Sequence, residues 1–303
     1  MLLQLFLHLF IVILFPPLLL GVITRTKALF AGRNGPPLLQ PYYDLHRLWQ
    51  KGFVISRTTT WVFHAGPIVG LIVPLLAALL IPFGAIPAPF SFNGDLILFV
   101  YLFALARFFT ASSALDTGSS FEGMGAAREV TFACLVEPTL LFALIVLVRL
   151  SGGFSLNQLL GSHLVTSWQS AGASLLLLVI ALFVVLLVEN CRIPFDDPNT
   201  HLELTMIHEV MVLDHSGPAF AMILYGASLK LLVLGALLVR LILPWDSGNP
   251  GVDAVVFMAG MLFIVVAIGV VESVMARLQL VRIPQLLIGT TLISIFALVL
   301  VLR

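Results

Sequence analysis

Charge is the scarcest property of this sequence. Only 10% of its 303 residues are charged, whereas 60% are hydrophobic. A water-soluble domain has about a quarter of its residues charged, so this composition cannot cover a water-facing surface. The 15 basic and 15 acidic residues cancel, and the sequence therefore lacks the electrostatic footprint of a protein that binds nucleic acid.

Cysteine is also scarce, because Cys134 and Cys191 are the two thiols of the chain. An iron–sulfur cluster takes four ligands, so these thiols cannot hold one. Asp197-Pro198 predicts a helix start. On that helix His201 and His208 lie about 10 Å apart, too far for one metal ion. With no nucleophile-and-base pattern present, we predict no catalytic residue, metal or cofactor in this chain. Another subunit must then carry any electrons.

Long apolar runs are abundant, and they are continuous, whereas barrel strands alternate. Lipid then leaves helices as the spanning structure. The first run has full span length and lacks a basic n-region and a cleavage site, so we expect a span there and no secretory signal. A span needs about 20 apolar residues. We predict an all-α integral membrane protein, one polytopic domain over residues 1–303, with about eight spans at 1–23, 66–88, 95–115, 129–149, 169–190, 218–243, 252–275 and 284–302.

Basic residues are unevenly distributed among the loops between these spans. The odd-numbered loops carry ten Lys and Arg, and the other side carries three. This bias predicts odd loops in the cytoplasm and both termini outside. The long odd loops, residues 24–64 and 190–217, would form a sizeable cytoplasmic surface for docking a soluble partner. No internal repeat is visible, which disfavours a transporter that works alone.

Six ionisable residues lie inside the predicted spans, where each costs roughly 2.5–3.5 kcal/mol. Counted from the cytoplasmic ends, Arg107 and Glu137 are both about 12 Å deep and Lys230 about 18 Å; the other acids fall within the first turn or so. We expect Arg107 to pair with Glu137 and Lys230 to compete for the same carboxylate. The alternative is a set of structural ion pairs. The predicted relay for protons or other ions comprises Arg107, Glu129, Glu137, Glu189, Lys230 and Glu272.

Several motifs resemble those of known membrane subunits. Arg33-Asn34-Gly35-Pro36, followed by Asp44, resembles the motif after the first helix of respiratory complex I subunit 1. Residues 115–119 and 125–129 are similar to the membrane subunits of formate hydrogenlyase and hydrogenase-4. Residues 189–196 resemble the Glu-x-x-Arg/Lys-x-Pro-Phe-Asp motif of both groups.

The resemblance covers residues 25–282. It implies an eight-helix anchor, in the cytoplasmic (inner) membrane of a prokaryote, beside antiporter-like membrane subunits. It also implies a small subunit with iron–sulfur clusters and a large hydrogenase-like subunit, which in hydrogenases holds nickel and iron. In complex I, quinone enters beside this subunit. The residues expected to dock and couple the soluble arm are Arg33, Asp44, Arg192, Asp196, Asp197 and Glu203.

The sequence departs from the family after Asp196. Asn199 and His201 stand where acids are expected, and Asp214-His215-Ser216-Gly217 replaces Glu-Tyr-Ser-Gly. We expect a membrane-anchoring, proton- or sodium-coupling subunit of a group 4 hydrogenase-like or formate hydrogenlyase-like complex. The alternatives are a quinone-site subunit of a complex I-type NADH:quinone oxidoreductase, a free-standing ion transporter and a passive anchor. The sequence leaves open whether the large subunit is an active hydrogenase.

Overall fold

The computed structural model describes residues 2–196 and 206–302, and in these ranges it is a bundle of α-helices. Eight of the described helices are long and apolar enough to cross a membrane, which confirms the predicted fold class. These eight are α1 (Leu2–Phe30), α3 (Trp61–Leu80), α4 (Asp95–Asp116), α5 (Ser120–Ser151), α7 (Leu164–Glu189), α8 (Gly217–Ile242), α9 (Pro250–Val274) and α10 (Ile283–Leu302).

In the described parts of the loops there are two short helices and one 3-10 turn. Helix α2 (Gln40–Trp49) follows α1 and packs against α8 and α1. Helix α6 (Leu156–Leu159) lies between α5 and α7, and the 3-10 turn Glu209–Val212 precedes α8. Because successive spans alternate in direction, the loops that follow α1, α4, α7 and α9 share one end of the bundle. We call this the long-loop end, and the opposite end the short-loop end.

Two helix starts differ from the predicted spans. Helix α3 begins five residues before the predicted position 66, because Asp116 accepts hydrogen bonds from Thr60 N (2.6 Å) and Phe63 N (3.2 Å). These bonds satisfy amide groups that a helix start leaves free. Helix α5 begins at Ser120, nine residues before the predicted position 129, because charged residues such as Glu122 and Arg128 are helical here although they are not apolar.

A tyrosine satisfies the backbone that two prolines disrupt in α1. Pro16 and Pro17 have no N–H to offer the carbonyl groups four residues earlier. Tyr225 Oη on α8 lies 2.8 Å from Ile13 O and 3.3 Å from Val12 O, and its single proton is shared between these two carbonyls. The contact holds α1 against α8 at the middle of the bundle, where lipid offers no substitute donor.

Helix α8 is the most buried of the eight described spans. It packs against α3, α1, α2, α7 and α9. Its close approach to α3 depends on Gly226, because a Cβ at this position would overlap the Gly70 carbonyl group. Both glycines lie in the wall of the cavity described next.

Candidate functional site: a charged cavity between the spans

Four charged side chains from four spans form one continuous chain of ion pairs. Arg107 on α4 contacts Glu137 on α5 through Nη1, and its Nη2 lies 2.6 Å from Glu189 Oε1 on α7. The other oxygen of Glu189 lies 2.6 Å from Lys230 Nζ on α8. Two cations and two carboxylates therefore alternate, which offsets much of the cost of charge inside a membrane. We call these four residues the charge chain.

The predicted pairing is correct in one part and wrong in another. Arg107 does pair with Glu137, as their equal depth predicts. Lys230 does not compete for Glu137, because it pairs with Glu189. Depth along a helix is one coordinate and leaves the rotation of each helix undetermined. The rotations of α7 and α8 place Glu189 between the two cations, and Arg107 bridges both carboxylates.

A cavity opens beside the charge chain. The volume open to the centres of water molecules is about 110 Å³. One water needs roughly 10–15 Å³ by this measure, so the cavity has room for several. Arg107, Glu189 and Lys230 line it, together with Glu129 on α5. The sequence predicted Glu129 in the first turn of its span. In the structure it lies nine residues after Ser120, the first residue of α5. The cavity thus joins three members of the charge chain to a further carboxylate.

The loop between α7 and α8 forms the wall of this cavity at the long-loop end. His208, Met211, Val212 and His215 line it there. Asp196 fixes the base of this wall, because its Oδ2 accepts hydrogen bonds from the backbone N–H groups of residues 207 and 208, each at 3.1 Å.

The same loop is attached to the segment that follows α9. Asp196 Oδ1 lies 2.9 Å from Arg277 Nη2, and Leu278 N donates to Pro194 O at 2.9 Å. Asp196 is almost completely buried. It therefore links the start of the loop, the cavity wall and the segment after α9.

Glu272 belongs to a separate cluster. Its carboxylate is enclosed and lies 2.9 Å from Lys27 Nζ on α1 and 3.5 Å from Arg192 Nη1. It does not line the cavity, so the structure does not bring Glu272 together with the other five predicted relay residues. The cluster instead connects α1 and α9 to the loop after α7.

The predicted docking residues fall into three groups. Arg33 and Asp44 are exposed at the long-loop end, and Asp44 accepts a hydrogen bond from Gln40 at 2.8 Å. Arg192 and Asp196 are engaged inside the protein by the ion pairs described above. Asp197 and Glu203 lie outside the described residues, as do His201 and the start of the predicted helix after Asp197.

Sequence reasoning missed several polar residues that line the cavity: Ser113, Asn190, Cys191 and His215. Burial raises the pKa of the Cys191 thiol well above its ordinary value, so this side chain stays protonated. Of these four residues, His215 could have been noticed in the sequence, because it stands where the family motif has tyrosine. In residues 2–196 and 206–302, no group of three or more His, Cys, Asp or Glu could hold a metal ion.

Eight packed spans around a chain of ion pairs, in the residues that the structure describes, define a polytopic membrane protein. More specifically, the chain belongs to the NADH dehydrogenase family, whose profile matches residues 3–302.

Relatives are found among components of redox complexes. The chain is 33% identical to hydrogenase-4 component C of Escherichia coli K12 over 273 residues, which cover 88% of this chain and 85% of that protein. It is 34% identical to formate hydrogenlyase subunit 4 of the same organism over 277 residues, or 89% of each chain. An NADH-quinone oxidoreductase subunit from Syntrophotalea carbinolica is 30% identical over 219 residues, covering 68% of this chain and 64% of that protein. The chain is accordingly a membrane subunit of the redox-complex type.

A solved structure has the same fold. A chain of the membrane-bound sulfane sulfur reductase, an archaeal respiratory membrane complex, superposes with a TM-score of 0.82. The superposition covers 98% of this chain and 99% of that chain at 21% identity.

Proposed function

We propose that this chain anchors the soluble electron-transfer arm of a hydrogenase-like or formate hydrogenlyase-like complex and couples its redox chemistry to movement of protons or sodium ions. The observation that carries the proposal is the position of Arg107. It is shared between Glu137 and Glu189 and lines a cavity with room for several waters. A cation shared by two carboxylates can favour either one after a small movement.

The loop after α7 supplies a means of producing that movement. Its Asp196 is bonded both to Arg277 and to the backbone that precedes the cavity wall. A redox-dependent shift of a docked arm would therefore reach the cavity through this loop. A carboxylate that loses its cation at this depth takes up a proton, because an isolated charge in a membrane is costly. Return of the cation expels the proton.

The exit from the charge chain lies at Glu137. Its side chain is 44% exposed, against 12% for Arg107 and 8% for Glu189. A carboxylate exposed to lipid would be expensive, so we propose that a neighbouring antiporter-like membrane subunit covers Glu137 and receives the ion there.

The long-loop end would face the cytoplasm and dock the arm, with both termini of the chain outside. The proposed partners are a small subunit with iron–sulfur clusters and a large hydrogenase-like subunit, which would carry the redox cofactors, including any nickel–iron site. The membrane would be the cytoplasmic membrane of a prokaryote. The higher identity and fuller coverage of the two E. coli relatives favour this assignment over a quinone-site subunit of complex I type.

The test is Glu137→Gln in the assembled complex, in inverted membrane vesicles. Ion uptake and redox turnover are measured in the same preparation. Glutamine keeps the shape and hydrogen bonds but holds no exchangeable charge, so we expect near-normal turnover with ion uptake per turnover reduced on the order of 100-fold, the lower end for loss of a positioned proton-transfer group.

The control is Glu122→Gln on the same helix. Glu122 is buried and accepts a hydrogen bond from Asp214 N at 3.2 Å, but does not line the cavity. We expect this variant to retain uptake per turnover. Normal uptake per turnover in Glu137→Gln would contradict the relay and leave a passive anchor. Uptake without any redox partner would instead indicate a free-standing transporter, and turnover that requires added quinone would indicate the complex I-type alternative.

A further inference from the structure

His215 and Ser113 form a buried hydrogen-bonded pair in the cavity wall. His215 lies in the loop that precedes α8, and its ring stacks on Phe63 with centroids 4.0 Å apart and planes at 14°. Its Nε2 lies 3.3 Å from Ser113 Oγ on α4. The exposed fraction is 8% for His215 and 2% for Ser113. Both line the same cavity as Glu129 and Lys230.

The Ser113 hydroxyl has two hydrogen-bond partners at almost equal distance. Phe63 O lies 3.2 Å from Ser113 Oγ, and His215 Nε2 lies 3.3 Å from it. A hydroxyl has one proton, so it can donate to one of these at a time. His215 Nδ1 is buried and has no hydrogen-bond partner among the described residues. With Nδ1 protonated, Nε2 is a free acceptor that faces the serine.

We propose that His215 is a further proton-relay residue of the cavity, loaded through Ser113. A protonated water that arrives in the cavity gives its proton to Ser113 Oγ while the hydroxyl passes its own proton to His215 Nε2, so the water becomes neutral and the imidazole becomes an imidazolium. Unloading reverses both transfers but delivers the proton to a second cavity water beside Glu129, which carries it onward, and the ring is neutral again. This inference rests on the proposed function, because it adds a residue to the same ion path.

The surroundings of His215 favour its neutral form, so the ring would hold an added proton only briefly. Burial, with a smaller contribution from His64, lowers the pKa of His215 to about 4. The ring therefore rests neutral at pH 7 and does not retain the proton that it accepts. The other ionisable groups that line the cavity are Arg107, Glu129, Glu189, Cys191, His208 and Lys230.

The chain contains a matched control in His8. This histidine is also buried and stacked on a phenylalanine, Phe83, with centroids 4.1 Å apart, and its Nδ1 also has no partner among the described residues. Its Nε2 contacts a backbone carbonyl, Ala78 O at 2.8 Å, and His8 does not line the cavity. His8 therefore shares the burial and stacking of His215 but lacks the hydroxyl and the cavity.

The experiment compares Ser113→Ala, His215→Phe and their double variant with His8→Phe, as assembled complexes in inverted vesicles. Phenylalanine preserves ring stacking and removes both nitrogens. Proton uptake per redox turnover should fall on the order of 100-fold in each single variant, the lower end for a positioned acid–base group. The double variant should fall no further, because both changes interrupt one path, and His8→Phe should keep wild-type uptake.

His215→Ala provides a second readout that a structural role would not change. It leaves space for a small base, so added imidazole should restore proton uptake in His215→Ala but not in Ser113→Ala. If His215→Phe fails to assemble, these two variants decide the question.

Wild-type uptake in Ser113→Ala, or additive losses in the double variant, would overturn the relay role of His215 even where Glu137→Gln has lost uptake. A wild-type complex that turns over without taking up protons would overturn proton coupling itself, and this inference with it.

Discussion

The two ends of the bundle handle buried charge in different ways. At the short-loop end, Arg240 donates to the carbonyl groups of Leu160 and Trp245, each at 2.7 Å. Asp95 accepts from Leu156 N at 2.7 Å and Ser155 Oγ at 2.9 Å. Between the long-loop end and the middle of the bundle, charges contact other charges: the ion pairs found in the described residues lie in this region, and they include the charge chain.

This difference separates fixed structure from exchangeable structure. A buried charge bonded to backbone groups has partners that cannot move away or titrate, so it holds loops in place. A chain of alternating cations and carboxylates has members that can exchange partners or take up protons. The short-loop end therefore acts as a clamp, whereas the charge chain has the exchangeable groups that the proposed relay requires.

The largest effect on assembly is expected from Arg107→Leu. The substitution leaves Glu137 without its cation and Glu189 with Lys230 alone. Breaking a buried ion pair costs about 3–5 kcal/mol, so we expect little assembled protein. The measurement is the yield and thermal unfolding midpoint of detergent-solubilised complex. Adding Glu137→Gln to Arg107→Leu removes the carboxylate left without a cation and should recover part of the yield, and no recovery would argue against the pairing.

Arg240→Leu should have the next largest effect, through loss of the clamp. It leaves the carbonyl groups of Leu160 and Trp245 without their donors, at a cost of about 3 kcal/mol for two bonds to a charged group. The exposed Arg149 near the same end is the control, and Arg149→Leu should change the unfolding midpoint little. Arg240→Leu protein that does assemble should have normal ion uptake per redox turnover. A stable variant with reduced uptake would show that the short-loop end also takes part in coupling.

Asp95→Asn should have a small effect that is confined to stability. Asparagine can still accept one of the hydrogen bonds from Leu156 N and Ser155, and loss of the charge should cost about 1 kcal/mol. We expect a slightly lower unfolding midpoint with unchanged ion uptake per turnover. A change in uptake would place Asp95 on the ion path and make the short-loop end more than a clamp.

The least disruptive test concerns orientation. Lys51 and Asp246 are exposed at opposite ends of the bundle, so single cysteines at these positions should leave the fold unchanged. Ser155 is less suitable, because it is buried against Asp95. In intact cells, an impermeant thiol reagent should label the cysteine at 246 and not the cysteine at 51. The reverse pattern would put the long-loop end outside.

Much of the fold could be predicted from the sequence, because span length and apolar composition act locally. The convergence of Arg107, Glu137 and Lys230 could also be expected, since buried charges need partners. Which carboxylate each cation binds could not be predicted, because it depends on how the helices are rotated. The contact between Ser113 and His215 was equally hidden, because His215 departs from the family motif but nothing in the sequence pairs it with Ser113.

The most direct test of coupling by the charge chain is a comparison of Glu189→Gln with Asp253→Asn. Asp253 is a buried carboxylate at the short-loop end that accepts hydrogen bonds from Ser247 N at 2.9 Å and Ser247 Oγ at 2.7 Å. Ion uptake per redox turnover is measured for both variants in inverted vesicles. We predict that Glu189→Gln loses uptake while turnover continues, and that Asp253→Asn retains both. Equal uptake in the two variants would contradict ion coupling by the charge chain.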